Sequence, residues 1–439
     1  MSKFIVLPTP LGEGIFKTFY IWVAGLSRRD LTFGYDPIKS LPYAELDIRD
    51  LTKQAVRLFK QEFDFMMELV GVPIVRGRAP GTDGFVLFKA GVSLPSGRGK
   101  DFRRKVIENM IELMSKGDLS EELLLDNCSI DVGRGKSLTI RVGSGNVKLP
   151  SIVRTEVFYE TGRFGLLRDL GKGRPSLGLV SIEGSVATFA VTLLTVMLCE
   201  VALEENNRLL CTIDVNLGAS LPSVAIRSLL ISIKRIIRWL RRSGVGTYAE
   251  DFDLIRLAIL FELYSLVGEK LTWPEFQATQ IKCHLISSTG RRFLKTLEFT
   301  IPLQQVFVLD KSLEIMLEEP GRRTVFANSL AHTLIGVARL DKLQARMKIT
   351  MPVITRMRTA IKNVSYAVLE GNVKVALDHL YIISRFLREE DFTSSLVSGI
   401  AASIRGEAKA SDVSLTVEDV RKKVGTVMRD LRELCQIAV

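Results

Sequence analysis

The sequence runs to 439 residues, 47% of them hydrophobic, which is more than one core usually takes and implies two or three domains with ample core material. Sixty Lys and Arg against 49 Asp and Glu give a net charge of +11 at pH 7, favouring polyanions such as RNA, nucleotides or anionic lipid, although the basic residues are spread along the chain rather than gathered into a tail. Three histidines (His284, His332, His379) outside HExxH spacing, and five separated cysteines (Cys128, Cys199, Cys211, Cys283, Cys435) without a CxxC pair, argue against the common zinc and thiol-redox signatures and leave metal-free chemistry as the default.

The opening apolar run, residues 4–7, is far shorter than a signal-peptide core and reads as a first strand. It closes on a Pro/Gly loop, residues 8–14, and helical periodicity returns at about 52–70, giving a strand-loop-helix opening. Between about 85 and 163 the pattern changes. A helix at 102–116 precedes two short alternating runs, 129–132 and 137–142, so a β-hairpin insertion is expected. Gly135-Lys136-Ser137 ends like a phosphate-binding P-loop, but the first glycine of that motif would fall on Ile130, so a Gly/Arg-rich hairpin turn is the better reading.

The most hydrophobic stretch, residues 184–199, is uncharged for only 16 residues and reads as a buried core helix rather than a bilayer span, the helix from Val186 being expected to end near Glu204 and Glu205. With no membrane or secretion signal, the expected location is the cytoplasm. Residues 208–214 read as a buried strand, and a helix at 223–242 buries one apolar face while carrying Arg227, Lys234, Arg235, Arg238, Arg241 and Arg242. Further strands are expected at 254–264 and 280–287. This alternation implies βαβ units, a largely parallel sheet and an α/β domain over residues 1–300. After Pro302 helical periodicity dominates, with helices at about 311–318, 323–339, 352–369, 373–388 and 417–436, so residues 301–439 are expected to be all-α. Thr416 suits the N-cap of the last helix, with Glu418 and Asp419 in its first turn.

Two constellations carry the candidate chemistry. The strand-to-helix turn around Asp214, Asn216, Gly218 and Ser220, partnered by the loop Thr9, Pro10, Leu11 and Gly12, places small polar residues and helix N-terminal amides where a parallel sheet binds phosphates; each is equally an ordinary βα turn. On the helix after Arg322 and Arg323, Asn328 and His332 stand four residues apart on one face, so an amide and an imidazole can converge; a packed helix histidine has the same spacing. His284 and His379 take no assigned role.

The segment from Asp214 to Ser220 resembles the Asp-x-Thr-His-Gly-x-Asn loop of CRISPR-associated Rossmann-fold (CARF) sensors, and Asn328-Ser329-Leu330-Ala331-His332 resembles the Arg-Asn-x-x-Ala-His signature of HEPN ribonucleases. Sensor first and helical domain second, the chain looks like an accessory ribonuclease of type III CRISPR systems. The resemblance implies a Rossmann-like sensor with a hairpin insertion followed by a HEPN-like helical domain, working in antiviral defence as a homodimer or higher homo-oligomer. It further implies a cyclic oligoadenylate activator, cyclic tetraadenylate for choice, bound by Thr9–Gly12 and by Asp214, Asn216, Gly218 and Ser220. Its expected activity is metal-independent cleavage of single-stranded RNA by His332 with Asn328, with no required cofactor and no membrane partner.

Two departures weaken the match. In the sensor loop only Asp214 and Gly218 agree by identity, Asn216, Leu217 and Ser220 replacing Thr, His and Asn. In the helical motif Ala327 stands where the arginine belongs, by natural replacement or by an engineered substitution, and it offers no donor to a scissile phosphate. An inactivated chain is therefore implied. The alternative is a non-catalytic, nucleotide-responsive or RNA-binding scaffold, and a third reading has the sensor cleave its own cyclic ligand.

Overall fold

The computed structural model describes residues 1–439 except 9, 69–99, 133–137, 144–146, 149–179, 205–206, 245–251, 268–273, 290–291, 318, 341–350, 389, 412 and 438–439. It is a mixed α/β structure, mostly helical, with small and chiefly antiparallel sheets. The residues group into two compact units, Met1–Arg227 with Thr279–Glu298, and Ser228–Ala278 with Phe299–Val439.

In the first unit, β1 (Ser2–Ile5) leads into α1 (Pro10–Ser27), then β2 (Leu31–Asp36), β3 (Leu41–Leu46), α2 (Leu51–Gln61) and α3 (Phe63–Met67). The Pro/Gly segment expected to be a loop is helical from Pro10 onward. Proline at a first helical position loses only an amide that has no intrahelical partner anyway, so it opens a helix rather than breaking one. The hairpin β2–β3 turns where the Asp36 carboxylate accepts from the Ile38 and Lys39 amides, both at 2.9 Å. β3 pairs antiparallel with β1, giving a sheet ordered β1-β3-β2-β10, the last being Ser220–Leu221.

The predicted hairpin is present: β4 (Ser129–Val132) pairs antiparallel with β5 (Leu138–Arg141). Before it come α4 (Lys100–Ser115) and the short α5 (Leu119–Glu122). β5 also pairs parallel with β7 (Val180–Gly184), which pairs with β6 (Val147–Lys148). Residues 85–99 and 149–163 of the expected insertion, and the Gly133–Ser137 turn, lie outside the described residues. α6 (Val186–Cys199), capped by the Ser185 hydroxyl at 3.1 Å from the Thr188 amide, is buried from Ala187 to Cys199, as its uniform apolarity requires, and it ends five residues before the expected Glu204, because Glu200–Glu204 pairs as a strand with residues 207–210.

The third sheet is ordered β12-β11-β9-β8, built from β8 (Glu200–Glu204), β9 (Asn207–Val215), β11 (Thr279–Thr289) and β12 (Arg292–Pro302). β9 pairs antiparallel with both β8 and β11, which corrects the expectation of a largely parallel sheet. Strands and helices do alternate along the sequence, but β8 and β9 form a hairpin, and the chain returns from the helices after β9 to lay β11 antiparallel beside it. α1 packs on β9, where Gly14 permits the approach: a Cβ there would meet Thr212 Oγ1 at 2.6 Å.

The second unit holds most of α7 (Ser223–Ser243), α8 (Phe252–Val267), α9 (Pro274–Gln277), and α10 (Gln304–Met316), α11 (Pro320–Ala338), α12 (Met351–Leu369), α13 (Val373–Phe386), α14 (Glu390–Ala410) and α15 (Val417–Ile437). The segment 254–264, expected as a strand, is the middle of α8. Almost every α8 residue is buried, so no amphipathic period marks it, and a buried strand and a buried helix read alike. The helical unit thus takes in Ser228–Ala278, ahead of the boundary expected at 300. α14 was not foreseen. Thr416 caps α15 as expected, its hydroxyl accepting from the Asp419 amide at 3.1 Å while Asp419 accepts from the Thr416 amide at 2.9 Å. Among the described residues no helix is long and apolar enough to cross a membrane.

Candidate functional site

In the helical unit, α11 presents Asn328 and His332 on one face, as their spacing dictates. Asn328 Nδ2 donates to Glu262 Oε2 of α8 at 3.0 Å. His332 is 2% exposed, its Nδ1 2.8 Å from Ser403 Oγ and its Nε2 3.2 Å from Glu407 Oε2, both on α14. From α7, Arg235 Nη2 reaches Glu407 Oε1 at 3.0 Å, and Trp239 donates from Nε1 to Ser403 Oγ at 3.2 Å while its ring stands edge-on to the imidazole. α11 and α14 come this close because glycine meets glycine at their crossing: a Cβ on Gly399 would lie 2.6 Å from the Gly336 carbonyl oxygen. Gly336 is one turn beyond His332 and Gly399 one turn before Ser403, so the crossing sets the imidazole against its partners.

The two carboxylates of this cluster titrate in opposite directions. Burial, reinforced by the Glu407 charge, pushes Glu262 up to about 8, so it is a neutral acid at pH 7. Burial also pushes Glu407 upward, but the His332 hydrogen bond and the charges of His332, Lys423 and Arg235 outweigh it and hold the group at about 2. Such a pair, one protonated and one ionised, supplies an acid and a charge that orients a base. Glu262 Oε1 is buried without a hydrogen-bond partner. Beside Asn328, Ala327 is fully buried and contributes no donor. Arg323, considered as a stand-in, spends its Nε–H on the Leu317 carbonyl at 2.8 Å.

In the first unit, Asp214 sits near the end of β9, 4% exposed, with Lys17 Nζ 2.6 Å from Oδ1 and with Lys282 Nζ (2.5 Å) and Gln280 Nε2 (2.8 Å) on Oδ2. Burial raises its pKa, but the two ammonium groups outweigh that and leave it below the ordinary aspartate value. Lys17 also bonds Glu13 on its own helix and the Val215 carbonyl, which brings the start of α1 to the C-terminal end of β9. Pro10, Leu11 and Gly12 form the first turn of α1, and Thr9 lies outside the described residues.

Asn216, Gly218 and Ser220 are exposed, with Gly218 at φ +89°, a conformation glycine alone adopts freely. The amides reserved for phosphate are already committed. Gly218 N–H donates to the Phe33 carbonyl at 2.7 Å, Ala219 N–H to the Asn216 carbonyl at 3.2 Å, and Ser223 N–H at the start of α7 to the Asp30 carboxylate at 2.8 Å.

Sequence reasoning overlooked Glu262, Glu407, Ser403 and Trp239. One signal was there to find: Glu262 is the lone carboxylate between Leu254 and Val267, flanked by apolar residues from Leu257 to Phe261, a position few acids occupy without a task. Among the described residues no group of His, Cys, Asp and Glu is arranged to hold a metal ion. No protein-family model matches the chain, and no curated protein matches it either.

Proposed function

We propose that the chain is built as a metal-independent endoribonuclease of the CARF–HEPN kind, switched by a cyclic oligoadenylate and inactivated or weakened here by Ala327 in place of the motif arginine. The observation that carries this reading is the His332–Glu407 pair: an imidazole oriented by an ionised carboxylate, on the helix face it shares with Asn328, is the arrangement of a general base and its orienting group. In the proposed reaction the RNA 2′-hydroxyl loses its proton to His332 and attacks the adjacent phosphorus, and the 5′-oxygen leaves with a proton. The products are a 2′,3′-cyclic phosphate and a 5′-hydroxyl. The cyclic ligand binds a homodimer at the turn Asp214–Ser220 and the start of α1, and His332 from each copy forms the composite site. Since His332 is 2% exposed in the single chain, cleavage requires that its surroundings open, which is the work assigned to the activator.

The second reading, a non-catalytic nucleotide-responsive scaffold, is favoured by Ala327, buried and without a donor where the motif places its arginine. The two separate in one assay. Single-stranded RNA is incubated in EDTA with the Ala327→Arg protein, with and without cyclic tetraadenylate. Ligand-dependent cleavage that disappears on adding His332→Ala supports the nuclease; bound ligand without cleavage supports the scaffold.

A further inference from the structure

The first unit carries a cleft of about 860 Å³ that the reading above leaves unused. It is walled by the end of α1 (Gly25, Ser27), the α1–β2 turn (Arg28, Arg29), the β3–α2 connection (Asp47, Arg49, Asp50), the exposed side of α2 (Lys53, Arg57), and Arg227. Six cations face two carboxylates, and both carboxylates are engaged: Asp47 with Arg29 at 3.8 Å, Asp50 as the N-cap of α2, accepting from the Lys53 amide. Arg28, Arg49, Lys53, Arg57 and Arg227 form no ion pair among the described residues. The volume is at the upper end of the range for small-ligand sites, and no aromatic side chain lines it.

The backbone at Arg28 supplies an independent observation. It stands at φ +53°, directly after α1, and the Arg29 amide bonds back to the Ala24 carbonyl at 3.0 Å. That is the helix-ending turn in which glycine is the usual residue at the left-handed position. Arg28 takes that position and lines the cleft.

The geometry points to this cleft as a binding track for the phosphodiester backbone of single-stranded RNA. Unpaired guanidinium groups along a groove neutralise successive phosphates, and without aromatic platforms the groove has nothing on which bases stack, so it grips the strand regardless of sequence. The choice of RNA rests on the nuclease reading; binding measured in EDTA without activator stands apart from cleavage, so an Ala327→Arg protein that binds RNA and the cyclic ligand and never cuts defeats that reading and leaves this one intact.

The test is fluorescence anisotropy of the full-length protein with labelled oligo(U) and oligo(A) RNA over a salt series. Equal affinity for the two is expected, with log K falling by about 0.7 per log salt for each phosphate neutralised. Arg57→Glu with Arg227→Glu, both on exposed positions, should flatten that slope by about 1.4, whereas Arg104→Glu on α4 should leave it unchanged. Arg28→Gly should weaken RNA binding without lowering the melting temperature, which a structural role for Arg28 would not produce. An unchanged slope in the double variant, displacement of RNA by inorganic phosphate at equal phosphate concentration, or binding to phosphatidylserine vesicles but not to RNA would overturn the proposal.

Discussion

Glu262 is the residue at which chemistry and stability meet. Between pH 4.5, the ordinary glutamate value, and about 8 the unfolded chain has released this proton while the folded chain holds it. The folded state then binds more protons, so stability falls as pH rises across that window. Glu407 has the opposite sign: its contribution is complete above pH 4.5 and is lost as pH falls toward about 2. Glu262→Gln keeps an acceptor for Asn328 and removes the titration, so thermal unfolding should show a variant more stable than the parent at pH 8 and a flatter profile from pH 5 upward. Parallel profiles would mean that Glu262 is ionised in the fold. Asp214→Ala should cost about 3 kcal/mol, because it strips a carboxylate from Lys17, an ammonium 2% exposed; the urea midpoint should drop with its slope unchanged. Asp214 was visible in the sequence as a candidate, but Lys17 and Lys282 were not, since partners so far away in sequence leave no local pattern.

At the scale of elements, the α11–α14 crossing positions the imidazole. Gly399→Ala places a methyl group within 3 Å of the Gly336 backbone and should destabilise the helical unit by about 1–3 kcal/mol, as overpacking does. The loss should show as a lower melting temperature, accompanied by changed His332 ring chemical shifts in NMR; an unchanged His332 signal would separate the crossing from the site. The elements differed in how plainly the sequence announced them. The final helix did so through Thr416 and Asp419, which form a local capping box, and α6 through a uniform apolar run too long for a strand. α8 did not, because burial on all sides erases the period that tells helix from strand. The β2–β3 hairpin had a readable turn, Asp36-Pro37, whose carboxylate caps two amides, and that signal was missed.

For the molecule as a whole, alternating strands and helices suggested crossover units, and the sheets proved mainly antiparallel because pairing partners are set by hairpins and long-range register. The division into an α/β portion and a helical portion was legible in the fading of β-branched alternation after Pro302; the assignment of Ser228–Ala278 to the helical unit was not, for those residues come before the strands that return to the first. The proposed function has a nucleotide bound in one unit change what happens at His332 in the other, and such coupling requires that the ligand favour one of two states. The most direct measurement is end-group analysis of RNA cut in EDTA by the Ala327→Arg protein with cyclic tetraadenylate. The account predicts 5′ fragments ending in a 2′,3′-cyclic phosphate, made only when the ligand is present. Fragments ending in a 3′-hydroxyl, or no fragments from a protein that has bound the ligand, would contradict it.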